Sequence, residues 1–472
     1  MTTTPPESGD GDARFWEQLR LVREAGIDVE VGPPGVAPGS GLTPGYVYER
    51  GCLLIRDRVV ADVSSLVPGA EVIGSPLPGV TKVRIDEPVP EAMARLDTTM
   101  LAGRPGRGLV SPNHLMFITP VNLCPGDEPL AVAADTAPFP AHAEGADGQD
   151  VSVLVIDTGL LRDVEDPDYI AAHPWLAGVD AVDGGYDQRP GQNGRIRHYT
   201  GHGTFVAGVL RCVAPGASVA VSNALVNVGA ILEDRLGAVL LDALPQDGPW
   251  PDVISLSAGA KTWDGRPPIG LDPFIRRLSS GTGTVLVAAA GNHGEDVPFW
   301  PAAYAGPAAG AALGMGTGPI PGVVSVGALR DPENGVGRAC FSNHGDWVSV
   351  YAPGERLINA YAQGVYEYLH SSFSSCRYAS PALYQGCTCV TPSRSGSLSG
   401  AGPADQDKFE GMAAWSGTSF ATPIVAARIA ALTSRIWRET GVRDARAAAE
   451  RLLASLHVME DCADGLPLPV LP

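Results

Sequence analysis

The chain has 472 residues, 44% hydrophobic and 18% charged, which excludes a disordered chain and suffices for one large domain and a smaller one. Its net charge of −19 would repel a phosphate backbone, so nucleic acid is excluded as a partner. No apolar run reaches the length of a membrane span, and the first twelve residues have no apolar core behind a basic segment, so no membrane partner and a cytoplasmic location are expected, with unconventional export left open.

In chain order, residues 1–12 read as disordered, and 14–25 as an amphipathic helix with Phe15, Leu19 and Val22 on one side. A Pro/Gly-rich linker, 32–45, closes this leader of 1–45. Residues 46–120 read as a small α+β unit. Cys52-Leu53-Leu54-Ile55 with Val59-Val60 suggests a strand, 61–66 a short helix, 80–85 a strand, 91–96 a helix and 115–119 a closing strand. Residues 121–150, rich in Ala, Pro, Gly and Asp, read as a second linker.

A βα alternation follows. Strands are predicted at 151–156, 217–221, 253–256, 284–289 and 323–326, and helices at 203–213, 232–244 and 272–279. A last apolar helix at 419–438 carries Phe420, Ile424, Val425, Ile429, Ala430 and Leu432, with Pro423 expected near its first turn. Short apolar strands between helices predict an α/β domain over 151–460, a mostly parallel sheet with helices on both faces. Chemistry in such sheets sits at the carboxyl ends of the strands.

Four groups fall at strand ends or helix starts. Asp157 ends the apolar run Val153-Leu154-Val155-Ile156, and His202 opens a helix between Gly201 and Gly203. Asn292 follows Val287-Ala288-Ala289-Ala290-Gly291, and Ser419 stands at the start of the last helix in Gly417-Thr418-Ser419-Phe420-Ala421-Thr422-Pro423. Singly, each has a bland reading: a loop-capping Asp, a structural His, a turn Asn, a helix cap. Together they form one chemical set. A serine hydroxyl becomes a nucleophile when an imidazole takes its proton, a carboxylate orients that imidazole, and an amide N–H with the serine's own N–H receives the oxyanion.

The segments Val155-Ile156-Asp157-Thr158-Gly159, Gly201-His202-Gly203-Thr204, Ala289-Ala290-Gly291-Asn292 and Gly417-Thr418-Ser419-Phe420-Ala421-Thr422-Pro423 resemble the four signatures of the subtilisin-like (subtilase, S8) serine peptidases over roughly 150–440. The resemblance implies a subtilisin-like fold, Asp157, His202 and Ser419 as catalytic triad, and Asn292 as oxyanion donor. It also implies that Ser257-Ala258-Gly259 forms an edge that pairs with protein or peptide substrates. The order of elements in 46–120 is similar to the family's inhibitory propeptides, which implies intramolecular inhibition by these residues. A permanent accessory domain is the alternative.

Departures from the family pattern are local. The calcium-binding loop that often follows the His helix is missing, because 206–217 contains no Asp, Glu, Asn or Gln and places Arg211 there. Acidic 163–168 is expected to be solvated surface, and no metal or cofactor is expected. Phe205 stands where the family often has a second His. Insertions occur at 304–321, where the family shapes its specificity pocket, and at 364–409. The eight cysteines are too scattered for a compact disulfide framework. Cys376, Cys387 and Cys389 lack a fourth ligand at finger spacing, so a local disulfide or plain thiols are expected in place of zinc. Cys212 and Cys340 read as core thiols. The expected activity is a serine endopeptidase acting through an acyl-enzyme. The alternatives are a catalytically silent peptide-binding scaffold on the same fold, and an esterase or acyl transferase, which would lack its usual Gly-x-Ser-x-Gly elbow here.

Overall fold

The computed structural model describes residues 11–38, 40, 42, 44–99, 108–118, 128–187, 194–226, 228–281, 283–331, 337–368, 406–461 and 464–472. The N-terminal part runs α1 (Gly11–Glu24), β1 (Val29–Gly32), β2 (Tyr46–Arg56), α2 (Val60–Leu66), β3 (Glu71–Leu77), β4 (Val80–Arg84), α3 (Val89–Thr99) and β5 (Val110–Phe117). Phe15, Leu19 and Val22 form one apolar stripe on α1 and are buried against Val47, Leu115 and Phe117. Strands β5, β2, β4 and β3 lie antiparallel in that order, and α2 and α3 cover one face with Val63, Val89, Met93 and Leu96 over Leu53, Ile55 and Val83.

Two details of this unit depart from the sequence reading. Val59 closes a 3-10 turn opened by Asp57 and Val60 begins α2, so neither belongs to a strand. β3 shows no apolar alternation because residues 71–75 are exposed.

Beyond β6 (Leu130–Ala131), the alternation begins with β7 (Ser152–Ile156), α4 (Pro167–Ala172), β8 (Asp180–Ala181), β9 (Arg195–Ile196) and α5 (His202–Val213). It continues through β10 (Ser218–Ser222), β11 (Ala230–Leu232), α6 (Glu233–Asp242), β12 (Val253–Leu256), α7 (Asp272–Ser280), β13 (Val285–Ala289), α8 (Ala309–Leu313) and β14 (Val323–Leu329). The chain then forms β15 (Val350–Pro353), β16 (Leu357–Glu367), β17 (Gln406–Trp415), α9 (Thr418–Thr440), α10 (Ala445–Ala454), β18 (His457–Glu460) and β19 (Pro467–Val470).

Nine of these strands make one sheet in the order β18-β19-β15-β14-β13-β12-β7-β10-β8. The pairings from β19 to β8 are parallel, with β18 antiparallel at the far edge. Side chains alternate across it. Val253, Val285 and Val287 share a core with Phe205, Val206, Val425 and Ile429 of α5 and α9. Ile254, Leu256, Leu286 and Ala288 share the other with Leu236, Leu240, Phe274 and Leu278 of α6 and α7. Strand order reverses at β7, which has β10 on one side and β12 on the other. A crevice therefore opens beyond its carboxyl end.

The described part of the expected linker, 128–150, is laid along this domain. Leu130 pairs with Ala414 in β17, Phe139 pairs with Ile358, and Ala143 donates to the Cys212 carbonyl. A Pro- and Ala-rich stretch has few side-chain demands, so its backbone groups find partners on the edges offered by β16 and β17. The flanks of the expected insertion 364–409 are strand, with Gly364 paired to Phe409 and Glu367 to Gln406. Cys376, Cys387 and Cys389 lie outside the described residues. Residues 304–321 are partly core, since Tyr304, Ala309 and Ile320 are buried. Among the described residues no helix is long and apolar enough to cross a membrane.

Candidate active site

Asp157 follows the last residue of β7 and is fully buried. Its Oδ1 accepts from the Thr158 N–H at 2.8 Å and meets His202 Nδ1 at 2.7 Å. His202 is the first residue of α5, behind Gly201 in the left-handed region at φ +83°. A Cβ on Gly203 would stand 2.5 Å from the Gly159 carbonyl, so only glycine lets the start of α5 press against the Asp157 loop. The imidazole packs edge-to-face against Trp415 and at a tilt against Phe420, with ring centroids 5.3 and 5.1 Å away. Phe205 packs one turn on, 4.6 Å from Phe420, which gives the residue in the family's second-histidine position an aromatic packing role.

Ser419 is the second residue of α9. Its Oγ donates to the Ser257 carbonyl at 3.4 Å, and the Ser257 hydroxyl donates to the Ser419 carbonyl at 2.9 Å. Pro423 explains that second bond. It is the sixth residue of the helix, past the first turn expected from the sequence. Its missing N–H would have bonded the Ser419 carbonyl, and the Ser257 hydroxyl satisfies that oxygen instead. Among the described residues Ser419 makes no hydrogen bond to His202.

Asn292 follows β13 and Gly291. Its Oδ1 accepts both the Thr418 N–H and the Thr418 hydroxyl at 2.8 Å, and the Gly291 N–H donates to that hydroxyl at 3.2 Å. With the oxygen committed to Thr418, the NH2 is the donating end of this side chain. Thr418 was not singled out in the sequence. Its place in the motif beside Ser419 was the available signal.

The edge formed by Ser257, Ala258 and Gly259 is occupied. Phe117, the last residue of β5, exchanges two bonds with Gly259: its N–H donates at 3.0 Å and its carbonyl accepts at 3.1 Å. β5 pairs on its other side with β11, and the Ile118 N–H donates to the Gly229 carbonyl at 2.8 Å. Residues 115–118 thus run as a middle strand between the two walls of the crevice, with Met116 and Ile118 buried beside Ile156, Tyr199 and Ile231. Gln18 of α1 donates to both the Ile118 and Val228 carbonyls.

Polar contacts fasten the rest of the N-terminal unit. Lys82 bridges Glu49 at 2.7 Å and Asp234 at 3.0 Å, Arg56 pairs with Asp272, and His114 Nδ1 meets Glu233 at 2.6 Å in full burial. The Trp263 N–H donates to His114 Nε2 at 3.1 Å, so both ring nitrogens of this imidazole are engaged.

Residues 148–450, well over half of the chain, match the profile of the Subtilase family. The chain belongs to the Subtilase family. This subtilase is 30% identical over 243 residues to a thermophilic serine proteinase of Bacillus sp. (strain AK1), a match covering 48% of this chain and 49% of that relative. It therefore spans about half the length of that protein. It is 28% identical over 250 residues to thermitase of Thermoactinomyces vulgaris, covering 50% of this chain and 73% of thermitase. Fervidolysin from Fervidobacterium pennivorans, a keratinolytic enzyme related to subtilisin, aligns over 89% of this chain and 63% of its own at 18% identity and a TM-score of 0.47.

Two further sites follow from the geometry. Arg211 of this subtilase donates to the carbonyls of Trp175, Ala177 and Ala217, so its guanidinium occupies the carbonyl-lined corner after α5. Among the described residues no three His, Cys, Asp or Glu side chains are placed to hold a metal. Burial pushes the Cys212 thiol up to about 12 and the Cys52 thiol up to about 11.

Proposed function

We propose that this subtilase is a serine endopeptidase in which Ser419 attacks the scissile carbonyl, His202 takes and returns the proton, Asp157 orients His202, and Asn292 receives the oxyanion. The buried Asp157–His202 bond carries the reading. It fixes the proton on Nδ1 and leaves Nε2 to act as the base toward Ser419. The Ser419 hydroxyl proton passes to Nε2 as the oxygen bonds the carbonyl carbon, and the displaced electron pair settles on the carbonyl oxygen. The Asn292 NH2 and the N–H groups at the start of α9 stabilise that charge. The imidazolium then protonates the leaving amine, and water repeats the sequence on the acyl-enzyme.

Substrate would add as a strand along Ser257, Ala258 and Gly259, the edge Phe117 uses in the full chain. Residues 46–118 thereby serve as an intramolecular inhibitor, which the two bonds to Gly259 and the buried interface with α6 support. Labelling by a fluorophosphonate tests the catalytic reading. Ser419→Ala should abolish it and His202→Ala should slow it by about 10³-fold or more, with Ser419 and His202 acting as a unit in peptide hydrolysis so that the double variant is little worse than either. A chain that labels equally well without His202 would overturn the assignment.

A further inference from the structure

We propose that Asp187 is a positioning residue for the Asp157–His202 pair, reaching it from a separate loop. The inference rests on the peptidase reading above. Asp187 is largely buried, in a polar Gly/Pro-rich stretch between the Asp157 and His202 motifs and part of neither. Its Oδ2 accepts from the Gly201 N–H at 2.7 Å and from the Thr158 hydroxyl at 2.8 Å. The Thr158 oxygen in turn accepts from the Gly203 N–H at 3.1 Å. Gly201 and Gly203 flank His202, and Thr158 follows Asp157. One carboxylate thus pins the backbone on one side of His202 directly and on the other side through Thr158.

Two physical features make this more than a loop anchor. The N-cap residue of α5 is Gly201, which has no side chain to satisfy the orphan N–H groups at that helix start. Asp187 and Thr158 supply those acceptors from outside the helix, and a carboxylate is favoured beside a helix N-terminus. The same Thr158 uses its own N–H to hold Asp157 Oδ1, the oxygen that meets His202. The Asp157 carboxylate and the His202 ring are therefore held in register by one chain of bonds, Gly201–Asp187–Thr158–Gly203, anchored by the Asp187 N–H on the Leu160 carbonyl at 2.8 Å. A buried carboxylate without donors would be costly, and two of the donors to Asp187 lie at the chemistry.

The test is the second-order rate of fluorophosphonate labelling of Ser419 in the full chain, read beside the melting temperature. Asp187→Ala should slow labelling of the folded protein by about 10- to 100-fold, because small misplacement of a base costs rate steeply. Asp187→Asn keeps an oxygen that can accept both bonds and should recover to within about threefold of wild type. Thr158→Val removes only the bridging hydroxyl and should slow labelling by about tenfold, and combining it with Asp187→Ala should cost little more than the worse single change. Thr158→Val carries the test if Asp187→Ala does not fold. A folded Asp187→Ala or Thr158→Val chain that labels at the wild-type rate overturns the inference, as does an Asn variant as slow as Ala or a double loss equal to the product. A wild-type chain that does not label even after limited proteolysis has released residues 46–118 removes the peptidase reading instead.

Discussion

Replacing Asn292 separates two roles that meet in one side chain. Its oxygen holds Thr418 through two bonds of 2.8 Å, and its NH2 is the proposed oxyanion donor. Asn292→Ala removes both. Loss of the donor should lower kcat by about 10²–10³-fold, or about 2.7–4 kcal/mol of transition-state stabilisation, with little change in KM. Loss of the acceptor leaves the buried Thr418 N–H and the hydrogen of its hydroxyl without that partner, which should cost about 1–3 kcal/mol of stability for each donor left unsatisfied. Asn292→Asp keeps an oxygen for both Thr418 bonds and strengthens them by charge, so its stability should stay near wild type. It offers the oxyanion a negative neighbour, so kcat should fall at least as far as in the Ala variant. Steady-state hydrolysis of a chromogenic peptide, with thermal melts on the same samples, reads both quantities. An Asn292→Asp chain that retained kcat within about tenfold of wild type would refute the reasoning, since no amide donor remains.

Three further outcomes follow from the packing. Incubation of the full chain should create no new N-terminus between residues 128 and 150, because Glu128 is buried and 130–131 and Phe139 are paired to β17 and β16; N-terminal sequencing that found one there would show that the strap detaches. At pH 8 a thiol near 11 or 12 is ionised to about one part in a thousand or less, so iodoacetamide should leave native Cys52 and Cys212 unmodified and label both after denaturation, as peptide mass mapping would show. Because Arg211 fills the corner after α5, EDTA should shift the melting temperature by only about a degree, and a fall of about ten degrees would reveal a structural cation elsewhere.

The local content of this protein was legible from its residues. Alternation of short apolar strands with amphipathic helices identified the parallel sheet, because strands buried on both faces must be apolar throughout. The four motifs read as strand ends and helix starts, and that is where Asp157, His202, Asn292 and Ser419 stand. α1 followed from the spacing of Phe15, Leu19 and Val22 alone. Elements with weak local signals were missed. β3 is exposed, and β16 has a register shift between Ala360 and Gln363 that disrupts its alternation.

What depended on contacts between distant segments was decided only by the tertiary structure. Nothing near Phe117 in sequence announces that its backbone will pair with Gly259, since a β-ladder is made by main-chain groups that every residue carries. Pro423 looked harmless by its position, and only the folded chain supplies the Ser257 hydroxyl that answers its missing N–H. Asp187 sits 29 residues from Thr158 and 14 from Gly201, and no motif or periodicity marks it. Periodicity and motif report which face of an element is apolar and which side chain ends it; which carboxylate then closes on which N–H is set by how the elements pack.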